Sequence, residues 1–291
     1  MWRFSKLPAL ILLTTASLTV SAPPAAAQEK TDKTDAAKPK TEAPPPPVKF
    51  DPKNPTAEQV AESVIFVYGR REFLQQIRRN GVERGRLTRI ADDGRTEETS
   101  YERRFVRGEN SLKDKVRIDQ KMPTMAYSLI YGDGRTWGLI NGSAFTPKQE
   151  ATAGLLSDQW HGLDALLRYK ENGSAIKLVN REKQKGLELY VLDVTDKEKR
   201  TTRYYVSTKS LHVLWSEYEQ APAEGAKAVK YMRKYADYRY AQGTLVPFST
   251  RLYEDGKQTQ EQRILTVTYG IKMDETLFAN PEAQTSSSAQ P

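Results

Sequence analysis

From residue 82 to residue 269 the chain is built from short runs of alternating apolar and polar residues, punctuated by dipeptides that end in glycine. Residues 82–90 lead into Asp93-Gly94 and 98–106 return from it. Residues 127–131 reach Asp133-Gly134 and 135–140 come back. Near the C-terminus, 230–240 turn at Gln242-Gly243, and 247–253 turn at Asp255-Gly256 into 262–269. A period of two puts successive side chains on opposite faces of a strand, and Asp-Gly tolerates the positive φ of a tight hairpin. This pattern excludes an all-helical fold and predicts an antiparallel meander. Further strands are read at 115–120, 174–180, 187–194, 201–207 and 211–218.

Two stretches depart from this period. Val60, Val64, Val67, Leu74 and Ile77 recur at helical spacing. Asn54 with Pro55 at the first position, or Thr56 answered by Gln59, would start that helix. Gly69 is placed to divide it, and Asn80-Gly81 to end it. The second helical stretch opens at Thr146-Pro147-Lys148-Gln149, which reads as a capping box, and continues through Leu155, Leu156, Trp160, Leu163, Leu166 and Leu167. Gly154 and Gly162 weaken it, so one helix or two short ones fit. The expected class is α+β with β dominant: a large curled antiparallel sheet with helices covering its concave face.

No cysteine is present, so stability must come from a hydrophobic core. A hydrophobic fraction of 38% beside 28% charged residues suits a sheet with one wet face. Arg3 and Lys6 precede an apolar stretch over 7–20, and Ala25-Ala26-Ala27 offers small residues before Gln28. That order reads as a signal peptide over 1–27, cleaved before Gln28, and implies an exported, periplasmic protein. Residues 28–53, with Pro44-Pro45-Pro46-Pro47, read as a disordered proline-rich tether. The folded domain is expected over 54–281, and 282–291 read as a disordered tail.

Net charge is +8, or +6 without Arg3 and Lys6. Export argues against nucleic acid as the partner and favours anionic lipid head groups or other envelope polyanions. Every basic residue between Asn54 and Leu112 is arginine, including Arg70-Arg71, Arg78-Arg79, Arg84, Arg86, Arg89 and Arg103-Arg104. The simplest reading is a solvated surface paired with Glu72, Glu83, Glu97, Glu98 and Glu102.

Chemistry is sparsely signalled. His161 and His212 are the only histidines, so no metal site or cofactor is expected. Serine nucleophile elbows and glycine-rich phosphate loops are absent. Asn141-Gly142-Ser143 and Asn172-Gly173-Ser174 read as turns. A carboxylate pair brought together by folding stays open, and a non-enzyme is expected.

Asp237-Tyr238-Arg239, Gly243, Pro247, Tyr253-Glu254-Asp255-Gly256, Ile264, Val267, Asp274, Leu277-Phe278 and Pro281 follow in an order that resembles the LolA-like carriers, which include outer-membrane lipoprotein-sorting proteins. The helix, meander, helix, meander layout over 54–281 resembles that family as well. The resemblance implies an unclosed β-barrel whose apolar cavity takes acyl chains under helices. Candidate wall residues are Val64, Val67, Leu74, Leu156, Leu163 and Leu167 from the helical stripes, with Trp137, Trp160 and Trp215. The implied ligand is a lipid or an acylated protein, exchanged with a membrane donor or acceptor. A sensor domain reading acylated ligands or a partner protein, a tethered structural adaptor and a hydrolase with a carboxylate pair remain as alternatives.

Overall fold

The computed structural model of the chain describes residues 54–280 apart from Pro123. The expected signal peptide, tether and tail lie outside the described residues. Helix α1 (Ala57–Tyr68) starts at the Thr56 capping box: the Thr56 hydroxyl accepts from the Gln59 amide at 3.2 Å, and the Gln59 side chain accepts from the Thr56 amide at 2.8 Å. Gly69 ends α1, as expected, and α2 (Arg71–Ile77) follows.

Strands β1 (Asn80–Ile90), β2 (Thr96–Val106), β3 (Lys115–Lys121), β4 (Ala126–Gly132), β5 (Arg135–Ile140) and β6 (Ser143–Phe145) form the first meander. Helices α3 (Gln149–His161) and α4 (Leu163–Leu167) interrupt. The second meander runs through β7 (Ala175–Gln184), β8 (Leu187–Thr195), β9 (Thr201–Ser207), β10 (Val213–Gln220), β11 (Val229–Ala241), β12 (Thr244–Glu254) and β13 (Lys257–Tyr269). These strands form one antiparallel sheet in the order β6-β5-β4-β3-β2-β1-β13-β12-β11-β10-β9-β8-β7. The α+β, β-dominant class expected from the sequence is thus the observed one.

The first strand pairs with the last, from Gly81 opposite Tyr269 to Arg89 opposite Gln260. Each meander therefore grows outward from a seam in the middle of the sheet, and the free edges are β6 and β7. Those two edges are consecutive in sequence, and α3 with α4 forms the connection between them. The sheet curls without closing into a barrel.

Local chemistry explains the turns. Asp133-Gly134, Asn141-Gly142, Lys185-Gly186, Gln242-Gly243 and Asp255-Gly256 each hold two successive residues at positive φ, which matches the twist of a two-residue hairpin. Asp93-Gly94 differs from expectation. Only Gly94 has positive φ, and the dipeptide sits in a longer loop, 91–95, closed by the Ala91 amide on the Arg95 carbonyl at 2.8 Å. The capping box at Thr146 also fails to form. Phe145 still belongs to β6, and Pro147 disfavours helical geometry at the residue before it; α3 begins at Gln149 with no side-chain cap. The helical stretch divides at Gly162, where a Cβ would fall 2.2 Å from the Asp158 carbonyl oxygen, and runs unbroken through Gly154.

Buried residues gather into three clusters. The first packs Val60, Val64, Ile65 and Tyr68 of α1 and Leu166 and Leu167 of α4 against Leu192, Tyr204 and Val206 of β8 and β9. A second joins Leu155 of α3 to Phe105, Val116 and Tyr131 of β2–β4 and to Val246, Phe248 and Tyr269 of β12 and β13. A third, smaller cluster consists of Leu189, Val191 and Tyr205, with Leu214 and Trp215 against it.

Candidate functional site

Three cavities open along the inner side of the curled sheet. The lower one lies toward loop 91–95 and the Asp255-Gly256 turn and measures about 600 Å³. Its apolar lining comes from alternate strand positions, Leu87, Ile118, Leu129 and Leu252, with Tyr127 and Tyr231. Helix α3 forms one wall through Ala151, Ala153, Gly154 and Leu155. The first three of these have little or no side chain and hold that wall back from the sheet, and a Cβ on Gly154 would meet nothing within 4 Å. Both ends of this cavity are polar: Arg103, Arg233 and Asp158 line the inner one, and Arg89, Gln120 and Glu254 the one toward loop 91–95.

Above it the sheet interior carries charge. A central cavity of about 130 Å³ is bordered by the cations Arg78, Arg103, Arg107 and Arg168 and by the acidic residues Glu83, Asp114, Asp158 and Asp164. Arg233 pairs with Asp158 at 3.0 Å, and Arg168 with Asp114 at 2.6 Å. Arg78 donates to the Leu245 carbonyl at 2.7 Å and to the Thr244 hydroxyl at 3.2 Å. Burial pushes the Asp164 carboxyl up, but the guanidinium groups of Arg107, Arg78, Arg103 and Arg168 outweigh it and hold the group at about 2. Glu83 moves the other way: burial raises it despite Arg103 and the Tyr101 hydroxyl. The arginine-only stretch therefore divides. Arg84 and Arg86 pair with Glu102 and Glu98 on the surface as expected, whereas Arg78 is only 5% exposed and Arg103 and Arg107 line the interior.

An upper cavity of about 510 Å³ opens between α2, α4 and the chain after β2, with Leu74 and Leu167 among its lining. His161 lies apart from all three cavities, stacked on Tyr218 at 4.0 Å and bonded through Nδ1 to the Thr202 hydroxyl at 2.6 Å. Burial, reinforced by Arg233 and Arg200, lowers its pKa to about 3. Among the described residues no group of three or more histidine, cysteine or acidic side chains could hold a metal ion. No helix of the described residues is long and apolar enough to cross a membrane.

The nine wall residues expected from the sequence do not share one cavity. Leu74 and Leu167 line the upper cavity and Leu163 the central one. Val64 is fully buried in the first cluster, Val67 packs against it, and Leu156 packs against the second. Trp160 lies under the Arg200 guanidinium at 3.8 Å, Trp215 stacks on Tyr205 at 4.5 Å, and Trp137 sits on β5 over Gly132. None of the nine lines the lower cavity. Val64, Val67 and Leu156 of the helical stripes are consumed by close packing, which leaves little free volume around them. Space survives instead where α3 presents small residues, and the run Ala151 to Gly154 was the sequence signal for it.

No family model matches the chain, and no curated protein does. Solved structures do match. One is a domain described as outer membrane lipoprotein-sorting, from Vibrio parahaemolyticus, with 10% identity, TM-score 0.51, and 75% of this chain and 97% of that one covered. A LolA superfamily protein from Nitrosomonas europaea matches with 9% identity and TM-score 0.54 over 79% of this chain and all of that one. A DUF1329 family protein from Desulfovibrio piger matches with 13% identity and TM-score 0.53 over 76% and 98%. At such identities the likeness concerns backbone architecture alone, and on that measure the chain has a LolA-like fold.

Proposed function

We propose that the protein is a non-catalytic carrier or binding protein of the bacterial envelope for a lipid or an acylated protein, exported by its N-terminal segment and held in the periplasm. The observation that supports this reading is the lower cavity. Its volume of about 600 Å³ falls in the range of small-molecule sites, and leucine, isoleucine and tyrosine supply a band of apolar lining across it. The Vibrio parahaemolyticus domain of the same fold is itself described as lipoprotein-sorting, which is consistent with this reading. A chain of methylenes would lie against Leu87, Ile118 and Leu129 and leave its polar end toward the inner arginines or the mouth. Helix α3, bridging the two free sheet edges, would act as the lid.

A fluorescent fatty-acid displacement titration tests this directly. Saturable uptake is expected, and extending a competing fatty acid should tighten binding by about fourfold per added methylene until the cavity is full. Absence of saturable uptake, or affinity indifferent to chain length, overturns the reading. Native mass spectrometry of protein isolated from its own envelope would identify the guest, and N-terminal sequencing of the same material should begin at Gln28.

A further inference from the structure

The upper cavity has a charge imbalance that the lipid-binding reading does not use. Arg71, Arg78 and Arg79 reach it from α2 and its end, Arg107 from beyond β2, and Arg168 from beyond α4. Only Glu109, Asp164 and Glu171 line it with opposite charge. Arg71 is already held between Glu62 and Glu171, each at 2.8 Å, and Arg168 is held by Asp114. Arg78 and Arg107 share the single carboxylate of Asp164, and Arg79 forms no ion pair among the described residues. Burial depresses the Arg107 guanidinium; Asp164 offsets this in part, while neighbouring Arg168 and Arg78 add to it. Within the lining itself five guanidinium groups face three carboxylates around a 510 Å³ opening, and an anion entering it would meet Arg78, Arg79 and Arg107.

We propose that the upper cavity binds a phosphate group, either free or as the head group of a lipid, through the guanidinium groups of Arg78, Arg79 and Arg107. Guanidinium forks present paired N–H donors that match phosphate oxygens, and they lose less hydration than ammonium groups on binding. The site lies at the opposite end of β1 and β2 from the acyl-binding cavity. Asn80 and Val106 mark its end of that strand pair, and Ile90 and Thr96 mark the other. Leu74 and Leu167 in the lining suit the glycerol and first acyl carbons of a phospholipid.

The experiment is calorimetric titration of the purified protein with inorganic phosphate and, separately, with monomeric dihexanoyl phosphatidic acid. Both should bind at one site, more weakly as salt rises, and each should lose about tenfold or more in affinity in Arg107→Gln. Arg79 is exposed and makes no ion pair among the described residues, so Arg79→Gln should give a loss in the same direction while leaving the melting temperature unchanged. Tighter binding of phosphatidic acid than of phosphate identifies a lipid head group as the ligand; equal affinity identifies free phosphate. Gly154→Trp, which obstructs the lower cavity, should leave phosphate binding as it is. No saturable binding of either probe overturns the proposal. So does binding that both arginine variants retain in full, or that Gly154→Trp abolishes. Because the acyl-uptake assay reads the other cavity, failure of one proposal leaves the other standing.

Discussion

Gly154 lies in the middle of α3 and borders the lower cavity, with open space where its Cβ would be. In a helix interior glycine is less stable than alanine by roughly 0.5–1 kcal/mol, because the unfolded chain has more freedom to lose. Gly154→Ala therefore has only a gain to show, and for a domain of this size the melting temperature should rise by roughly 1–4 °C. Gly154→Trp uses the same vacancy differently. A large ring directed into the 600 Å³ space should leave stability level or raised, since no neighbour has to move. It takes the volume a ligand would use. If the ring displaces as few as three methylenes of a guest, binding weakens by about sixtyfold, at about 0.8 kcal/mol each. The assay is a urea melt beside fatty-acid displacement on wild type and both variants. Destabilisation by Gly154→Ala would refute the claim that the space beneath α3 is empty. Unaltered uptake by a stable Gly154→Trp would show that the ligand binds elsewhere.

Gly85→Ala should have the opposite sign: its Cβ would sit 2.3 Å from the Arg263 carbonyl and 2.7 Å from the Tyr101 ring at the irregularity in β1, costing about 1–3 kcal/mol in a urea melt. Leu163→Trp should cost a similar ~1–3 kcal/mol, because Leu163 packs against the first cluster beside a central cavity of only about 130 Å³. Stability should fall as pH drops from about 6.5 toward 3. His161 is neutral in the fold, with a pKa of about 3 against an ordinary 6.5, so the unfolded chain binds the extra proton in that window. The slope contributed is about 1.4 kcal/mol per pH unit, and His161→Phe, which can keep the stack on Tyr218, should flatten it. Asp164, held at about 2, adds a loss only at lower pH, from about 3.8 downward. An unchanged pH profile in His161→Phe would show that the buried imidazole is not its source.

Much of the fold is a local property of the sequence. The Thr56–Gln59 cap, the Gly69 break and the Asp133-Gly134, Gln242-Gly243 and Asp255-Gly256 hairpins depend on residues only a few positions apart. Alternation of strand residues adds which side chains share a face, so an antiparallel, curled, β-dominant domain with two helical insertions was legible in the chain itself. Where local signals competed, reading failed. Pro147 looked like a helix start, but pairing of Phe145 with Gly138 in β6 and β5 kept the chain extended.

The candidate site was far less legible, because it depends on which long-range neighbours fill space and charge. Periodicity places Val64 and Leu87 alike on apolar faces, yet Val64 is sealed against α4 and β8–β9 while Leu87 borders open volume under Gly154. Nothing local distinguishes them; the difference comes from the small residues of α3, some sixty positions further along. The arginines behave in the same way. Arg84 and Arg78 belong to one compositional run, but Arg84 meets Glu102 across a hairpin, and Arg78 reaches Thr244, Leu245 and Asp164 from remote parts of the chain. Most of the secondary structure follows from short-range backbone preferences, so the sequence alone determined it except where local signals competed, as at Pro147. Cavities and buried charge follow from the pairing of β1 with β13 and from helices laid between two free sheet edges, and only the tertiary structure could decide them.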